Sequence, residues 1–229
     1  MLPADLRSAE AEARAALERA LKAEPRGRWT VEMRFEGLRL MPVALRLSQR
    51  WLEEELEHRL LFPDAGATAL ARRDAPSLAP VIGSFSDQRR LQGEGSSSGV
   101  LLLVGAGPSD YEEVEAICNH HHGAVVLLNP VLEDGAVGIG SVARERRRGF
   151  LAGWEAAYAL IPQADSALRR AWPATWQLYR LDPDGYRAVA SFERKPDGEQ
   201  RDQALADGAG QSLGATLRSV DRFIEGLQN

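Results

Sequence analysis

Three polar residues, Asp64, Ser109 and Asn129, stand where their types and positions favour binding chemistry. Each follows a continuous apolar run and has a proline beside it. Continuous runs, as opposed to alternating ones, predict strands buried on both faces, in a parallel sheet whose carboxyl ends share one edge. Open α/β sheets bind ligands at that edge. We therefore expect the three side chains to lie along one polar rim.

Glycines and arginines near these strand ends favour an anionic ligand. Glycine turns expose backbone N–H groups, helix starts carry a partial positive charge, and guanidinium groups match phosphate or carboxylate oxygens. Arg144 and Arg147, on a helix predicted after Asn129, could reach the same rim. The candidate set is Asp64, Gly66, Thr68, Arg72, Ser109, Asn129, Gly140, Arg144 and Arg147. The alternative is structural, with Asp64 and Asn129 capping helices or pinning turns and the arginines solvated.

The glycine patterns do not match a cofactor motif. Gly105-Ala106-Gly107-Pro108 follows a strand, but it lacks the third glycine of the dinucleotide fingerprint, and Pro108 removes an N–H. Gly138-Ile139-Gly140 does not directly follow a strand, and neither segment ends in Gly-Lys-Ser/Thr. We therefore predict no cofactor.

His120, His121 and His122 form the most conspicuous cluster of metal-ligating residues. Consecutive helical side chains point about 100° apart, so at most two could share an ion. We favour imidazoles that interact with a helix C-terminal dipole, with Gly123 as the C-cap, although metal binding stays open. Cys118 is predicted to be a small buried hydrophobe, and no catalytic residue is predicted.

Composition excludes several classes of protein. The 229 residues carry a net charge of -5 with 27% charged residues, which gives no global field for nucleic acid. The single cysteine allows no intramolecular disulfide and is compatible with a reducing compartment. The start lacks the pattern of a signal peptide, and no apolar stretch approaches the roughly 18 residues of a membrane span. The expected location is the cytoplasm.

Periodicity predicts alternating helices and strands along the first half of the chain. An apolar stripe from Leu6 to Leu21 predicts the first helix, and a second helix is expected at about 44–59. The alternation across Trp29–Phe35 is typical of a half-buried strand, which we place at a sheet edge. Further strands are expected at 81–85, 100–104 and 124–128, with a loop at 93–99.

The pattern in the second half of the sequence predicts a helix that carries Phe150, Trp154 and Tyr158, followed by a hairpin that turns at Asp182–Gly185. The fold class is therefore α/β, a mostly parallel Rossmann-like sheet flanked by helices, with a C-terminal β-hairpin and helix. We expect one domain over 1–200, and a mobile link from about Asp202 plus a C-terminal helix within 201–229.

The order of several unusual strings resembles a known family over nearly the whole chain to about Phe192. The strings are Leu2-Pro3, Phe62–Arg73, Leu128–Glu133, Gly138–Gly140, Arg147–Leu151, Tyr158, Leu160–Pro162, Ala167–Arg170 and Trp172–Trp176. They resemble an uncharacterised cyanobacterial and plastid family, domain of unknown function 1995, which includes the low photosystem II accumulation factors. A related domain is fused to a plastid adenylate kinase. The histidine triplet is not part of the family pattern.

The resemblance implies a photosynthetic organism and a role near thylakoid assembly or plastid nucleotide metabolism. Our first hypothesis is a non-enzymatic assembly factor of photosystem II type, whose rim recognises a protein partner or an anionic group. It would have no membrane span but would allow peripheral thylakoid association. The alternative is a small-molecule enzyme or sensor that binds a phosphorylated or nucleotide ligand at the same rim.

Overall fold

A single nine-stranded sheet organises the chain in the computed structural model, which describes residues 2–95, 97–132 and 149–207. Within these ranges, six α-helices flank the sheet. The helices are α1 (Leu6–Ala23), α2 (Leu40–Glu53), α3 (Ala65–Asp74), α4 (Phe85–Glu94), α5 (Tyr111–Asn119) and α6 (198–207). The strands are β1 (Arg28–Met33), β2 (His58–Phe62), β3 (Ile82–Ser84), β4 (Val100–Val104), β5 (Ala124–Leu128), β6 (Glu155–Pro162), β7 (Ser166–Ala171), β8 (Trp176–Asp182) and β9 (Gly185–Phe192).

The sheet is mixed, in the order β3-β2-β4-β5-β1-β6-β7-β8-β9. Its first six strands are parallel, and each pair from β6 to β9 is antiparallel. The prediction of a mostly parallel sheet therefore holds only for the first half. Short turns join the later strands, and such turns permit only antiparallel neighbours. The predicted hairpin corresponds to β8 and β9.

The predicted edge position of the Trp29 strand is wrong, because β1 lies between β5 and β6. Trp29, Val31 and Met33 are buried on one face of β1, while Thr30 and Glu32 are only partly buried on the other. Alternation reports that one face of a strand is more polar. It does not report whether the strand has one neighbour or two.

The helix predicted through Phe150, Trp154 and Tyr158 is also wrong within the described residues. Phe150–Gly153 forms a short 3₁₀ turn, and Tyr158 lies in strand β6. The ring of Phe150 packs edge-on against that of Trp154, with centroids 5.6 Å apart. Tyr158 instead belongs to the buried cluster beneath α1. The four-residue spacing was coincidental, and pairing of β6 with β1 and β7 decided its conformation.

Helix α4 was not predicted. Ser84 and Asp87 form a capping box at its start, with Asp87 N–H donating to Ser84 Oγ at 3.0 Å. Residues 198–207 are also helical, so the predicted link from Asp202 begins as helix in its described part. Ala204 and Leu205 of this helix pack against the β8–β9 hairpin. The domain boundary at residue 200 stays a prediction.

The two faces of the parallel half are covered by different helices. Leu60, Leu102 and Val126 point into the cluster that contains the buried residues of α1, α2 and α3. Their sequence neighbours Leu61, Leu103 and Leu127 point into the cluster under α5. We call these the groove face and the sealed face. The edge where the parallel strands end is the carboxyl edge, and the opposite one is the amino edge.

Candidate functional site

The predicted rim residues Asp64, Ser109 and Asn129 follow adjacent strands β2, β4 and β5, so the fold brings them to the carboxyl edge. The carboxylate of Asp64 accepts a hydrogen bond from Ala67 N at 2.8 Å and caps α3. Thr68 Oγ1 donates to the Asp64 carbonyl oxygen at 2.8 Å. Gly66 lies in the first turn of the same helix. These side-chain contacts stabilise the start of α3.

Asn129 ties the ends of β5 and β1 together. Its Oδ1 accepts from Met33 N at 2.6 Å, and its Nδ2 donates to the Met33 carbonyl oxygen at 2.6 Å. Its backbone φ is 49°, a left-handed conformation that asparagine tolerates better than most residues. Both polar groups of the amide are therefore used inside the fold.

Ser109 and Arg72 differ from Asp64 and Asn129 in what their side chains contact. Ser109 is exposed in a 3₁₀ turn, where Asp110 rather than Ser109 accepts from Gly107 N, at 2.7 Å. Arg72 lies about two helical turns beyond Asp64 and donates to the Ile82 carbonyl oxygen at 2.7 and 3.2 Å. It covers the outer side of edge strand β3 and does not share the carboxyl rim. Gly140, Arg144 and Arg147 lie outside the described residues.

A feature that sequence reasoning missed is a groove between α1 and α2, which we call the α1–α2 groove. Its central cavity has a volume of about 610 Å³. The base of this cavity is apolar and is formed by Leu17, Val31, Met33, Val43 and Leu128. Concave, mostly apolar sites of roughly 300–1,000 Å³ are typical of ligand-binding pockets.

Two ion pairs cross the groove from helix to helix. Arg46 of α2 donates through Nε to a carboxylate oxygen of Glu10 on α1 at 2.9 Å, and its Nη2 contacts the second oxygen. This hydrogen bonding raises the pKa of Arg46. One helical turn further along, Arg14 of α1 lies 4.0 Å from Glu54, next to the end of α2. We call these two pairs the crossbars. They lie on the solvent side, where the side chain of Arg46 is 54% exposed.

At the carboxyl edge the groove adjoins a second cavity of about 630 Å³, which shares Leu6 and Arg46 with the central cavity and which we call the groove mouth. Leu6, Phe35, Leu38 and Pro42 line it together with charged residues. The arginines that line the mouth and the central cavity are Arg7, Arg14, Arg39, Arg46 and Arg50, and the carboxylates are Asp5, Glu10 and Glu36. Cationic residues are thus in excess along this part of the groove.

Arg7 and Arg39 differ from the crossbar arginines. Both are exposed, and neither makes a hydrogen bond or ion pair through its side chain with any residue in the described ranges. Arg39 occupies the N-cap position of α2, which has no side-chain cap. The first N–H groups of a helix without such a cap are available to an anion.

At the amino edge, a third cavity of about 850 Å³ lies between the other ends of α1 and α2. Glu57, Trp51 and His122 are among the residues that line it. The cavity is lined by both carboxylates and cations, as is the mouth, where Asp5 and Glu36 occur with Arg39 and Arg46. The three cavities together follow the length of α1.

Two buried histidines near the amino edge have defined hydrogen-bond roles. His58 must donate from Nδ1 to the Leu56 carbonyl oxygen, at 2.8 Å, so its Nε2 accepts from Ser48 Oγ, at 2.7 Å. His121 likewise donates from Nε2 to the Gly99 carbonyl oxygen, at 3.1 Å, and accepts from Ser97 Oγ, at 2.8 Å. Burial lowers the pKa of both imidazoles, because it disfavours the charged form.

The histidine triplet does not converge. His120 is exposed and contacts the Ala116 carbonyl oxygen at 2.8 Å, whereas His121 is buried and His122 lines the amino-edge cavity. No group of three or more His, Cys, Asp or Glu residues that could hold a metal occurs in residues 2–95, 97–132 and 149–207. The predicted C-cap role of Gly123 is wrong. His120 is the C-cap of α5, and a Cβ at position 123 would collide with the Gly99 backbone.

The prediction for Cys118 is confirmed. Cys118 lies on the buried side of α5, and burial raises the pKa of its thiol to about 12. A thiol held protonated in this way packs as a small hydrophobe and is a poor nucleophile.

Comparison with known proteins identifies the family. No helix in the described part of the chain is long and apolar enough to cross a membrane. A search of curated proteins gives no match. The model of one family, described as a domain of unknown function, matches residues 3–203, which include the groove and every strand of the sheet. The chain therefore belongs to the DUF1995 family.

Proposed function

We propose that this protein is a non-enzymatic accessory or assembly factor that binds a partner at the groove mouth. The observation that carries the proposal is the combination of apolar surface at Leu6 and Phe35 with exposed charged groups, namely Arg39 in the mouth and Arg7 in the adjoining central cavity, beside the carboxylates of Asp5 and Glu36. A partner segment with apolar side chains and carboxylates would complement both properties. Charge pairs at such an exposed site steer association and determine partner choice more than they add affinity.

The roles of the strand-end side chains support binding at this part of the carboxyl edge. Asp64, Thr68 and Asn129 each make side-chain hydrogen bonds to the backbone. The mouth retains charged groups that a partner can reach without breaking contacts of the fold. The carboxyl edge is thus retained from the sequence analysis, whereas the residues proposed to contact the partner are different.

The identity of the partner rests on the sequence resemblance. The strings shared with the low photosystem II accumulation factors support a partner among photosystem II assembly components, in a cyanobacterium-like organism. A protein of this kind would work in the cytoplasm and at the periphery of the thylakoid membrane. The accessory role needs no cofactor and no catalytic residue.

Capture from thylakoid extract tests the proposal. The full chain is immobilised and compared with the double variant Arg7→Glu and Arg39→Glu, and the captured proteins are identified by mass spectrometry. The matched control, Lys22→Glu with Arg26→Glu, makes the same charge change at the amino edge of the same groove. We expect a photosystem II component to be captured by the parent chain and the control, and at least tenfold less by the mouth variant. Equal capture by both variants would contradict a partner site at the mouth.

A phosphate ester or nucleotide at the carboxyl edge is the second candidate. The chain leaves β2 towards β3 and leaves β4 towards β5, in opposite directions, so the gap between these two strand ends is a topological switch point. Such points are common ligand sites in open sheets. A bound nucleotide would raise the unfolding temperature as its free concentration rises above its dissociation constant. Substitution of Gly66 by Asp would remove that response if the phosphate lies at the start of α3.

A further inference from the structure

Arg59 is a partly buried arginine whose guanidinium group has no partner. It lies on β2 two residues before Leu61, so its side chain is on the sealed face of the sheet. Its guanidinium makes no hydrogen bond or ion pair with any residue in 2–95, 97–132 and 149–207, and its Nε atom is buried without an acceptor. Burial lowers the pKa of Arg59, because it disfavours the charged form. A cation in such a place lacks the acceptor atoms that would offset its loss of water.

A second arginine reaches the same part of edge strand β3. A Cβ built at Gly83 would come within 2.9 Å of Arg59 Nη2, so the glycine leaves the space that this guanidinium occupies. Arg72 of α3 donates through Nε and Nη2 to the carbonyl oxygen of the preceding residue, Ile82, at 3.2 and 2.7 Å. The two guanidinium groups therefore lie at consecutive residues of one short strand. We call Arg59, Arg72, Ile82 and Gly83 the β3 corner.

The carboxylate near the β3 corner does not neutralise it. The charge of Asp87 acts on both Arg59 and Arg72, but it is not within 4.0 Å of either guanidinium. Its Oδ2 accepts from Ser84 N at 3.1 Å, and its Oδ1 accepts from Arg90 Nη2 at 2.8 Å. Three guanidinium groups thus face one carboxylate, which leaves an excess of two positive charges.

We propose that the β3 corner binds a small divalent oxyanion of the phosphate type between Arg59 and Arg72. The Nη groups of Arg59 and the remaining Nη1 group of Arg72 would donate charge-assisted hydrogen bonds to its oxygens. A divalent ion would balance the local excess of charge, whereas a carboxylate would balance half of it. Free phosphate and a phosphorylated small molecule share this chemistry. The inference goes beyond the proposed function, and the site is separate from both the groove mouth and the start of α3.

Calorimetric titration of the purified full-length chain with inorganic phosphate tests the proposal. Chloride keeps the ionic strength constant. We expect one phosphate per chain, and about tenfold or greater weakening in Arg59→Met and in Arg72→Met, because each loses charge-assisted hydrogen bonds. The control Arg73→Met removes a neighbouring arginine of α3 that is paired with Asp74, and it should bind as the parent does. Absence of binding by the parent, or equal binding by the parent and Arg59→Met, would overturn the proposal.

Gly83→Ala tests the geometry without a change in charge. The added Cβ should displace Arg59 Nη2, which is the end of a flexible side chain, so the fold should tolerate it. The loss of phosphate binding should approach that of Arg59→Met. Unchanged binding in Gly83→Ala would contradict the position assigned to the Arg59 guanidinium.

Thermal unfolding provides a readout that separates a ligand site from a structural role. In chloride, Arg59→Met should unfold at the same temperature as the parent or a higher one, since it removes a partly desolvated cation without a partner and keeps an apolar side chain of similar length. Phosphate should raise the unfolding temperature of the parent more than that of Arg59→Met, beyond the general effect of the salt on both. A clear loss of stability in chloride would assign Arg59 to the fold and would overturn the proposal.

The source of the phosphate group is identified by comparing inorganic phosphate with phenyl phosphate. Tighter binding of the inorganic ion would indicate free phosphate, and tighter binding of the ester would indicate a phosphorylated small molecule. Gly66→Asp should leave both affinities unchanged. Binding that is lost in Gly66→Asp but kept in Arg59→Met would place the phosphate at the start of α3 and overturn the proposal. Partner capture from extract is measured separately, so failure of either experiment does not decide the other.

Discussion

The two faces of the parallel half of the sheet are covered by helix pairs that pack in different ways. On the sealed face, α4 and α5 are joined by polar contacts within the fold. Gln92 donates to the Ile117 carbonyl oxygen at 3.0 Å, above a layer that includes Leu61, Leu103 and Leu127. On the groove face, the interactions that cross from α1 to the α2 segment include Arg46–Glu10 and Arg14–Glu54 on the solvent side, with a cavity of about 610 Å³ below.

This difference separates stability from binding. The sealed face excludes water by close packing, which contributes most of the free energy that a buried side chain can supply. The groove face has an apolar floor that is itself buried, and a cavity lies between this floor and the charged side chains of the crossbars. Surface ion pairs contribute little stability, so they can bridge a groove without making it rigid. Binding sites commonly occupy cavities of this size on an otherwise well-packed scaffold.

The largest expected effect comes from truncating the helix side chains on each face. Ile117→Ala on α5 should reduce the free energy of unfolding by about 2–5 kcal/mol, because it leaves a cavity in a closed layer. Leu47→Ala on α2 should cost only about 1 kcal/mol, since Leu47 already lines an open cavity. Urea unfolding of both variants provides the comparison. Similar losses would mean that the two faces are equally well packed.

Asn129→Ala should have the next largest effect, about 2–3 kcal/mol. The substitution leaves the Met33 backbone groups without their partners and places alanine at a positive φ. The control is Ser109→Ala at the neighbouring strand end, which should remain within about 0.5 kcal/mol of the parent. Amide hydrogen exchange should increase near Met33, beneath the groove, more than at Leu103 beneath the sealed face. An unchanged stability would return Asn129 to the list of ligand-binding candidates.

Acidification should lower the free energy of unfolding through both faces of the sheet, because one neutral histidine makes hydrogen bonds on each face. His58 bonds to Ser48 of α2, and His121 bonds to Ser97, which accepts from Gln88 of α4 at 3.0 Å. Their pKa values are lowered in the folded state, so the unfolded chain binds protons first as the pH falls below about 6.5. This contribution to stability is complete above that pH and is lost as the pH falls towards the folded pKa values.

Urea unfolding between pH 8 and pH 5 measures this dependence. Replacing both histidines by glutamine should flatten the part of the curve that they cause, and each single substitution should remove part of it. An identical pH dependence in the parent and the double variant would show that other groups are responsible.

The smallest expected effect concerns the crossbars. A double-mutant cycle with Glu10→Gln and Arg46→Gln should give a coupling energy of about 0.2–1 kcal/mol, as for other exposed ion pairs. Removing the pair should widen the groove with little loss of stability. A coupling above about 2 kcal/mol would instead make the crossbar a main element of the fold.

The sequence predicted the strand ends well for a physical reason. Continuous apolar runs such as Leu101–Val104 and Val125–Leu128 need burial on both faces wherever they lie, so their local pattern is sufficient. The starts of helices α1 and α3 were equally predictable from the sequence, because Asp5 and Asp64 cap them by contacts three residues along the chain. The conformation of Tyr158 could not be predicted from the local sequence, since it depends on how β6 pairs with its neighbouring strands.

The carboxyl edge as a candidate location came from the sequence, whereas the groove did not. Arg7, Arg39 and Arg46 are separated by up to 39 positions in the sequence. The periodicity of their segments predicts only that such charged side chains face solvent. Whether two helices on one sheet touch or stand apart depends on which strands each one covers, and strand order is a non-local property.

The amino-acid sequence by itself therefore determined the class of the fold, the starts of α1 and α3, the buried parallel strands and the burial of Cys118. Tertiary structure alone decided that β1 lies in the middle of the sheet, that α1 and α2 are bridged at their solvent side above an apolar floor, and which arginines remain unpaired. The physical reason is that local patterns report which surfaces must be buried, whereas the partner that buries each surface is chosen by packing between distant segments.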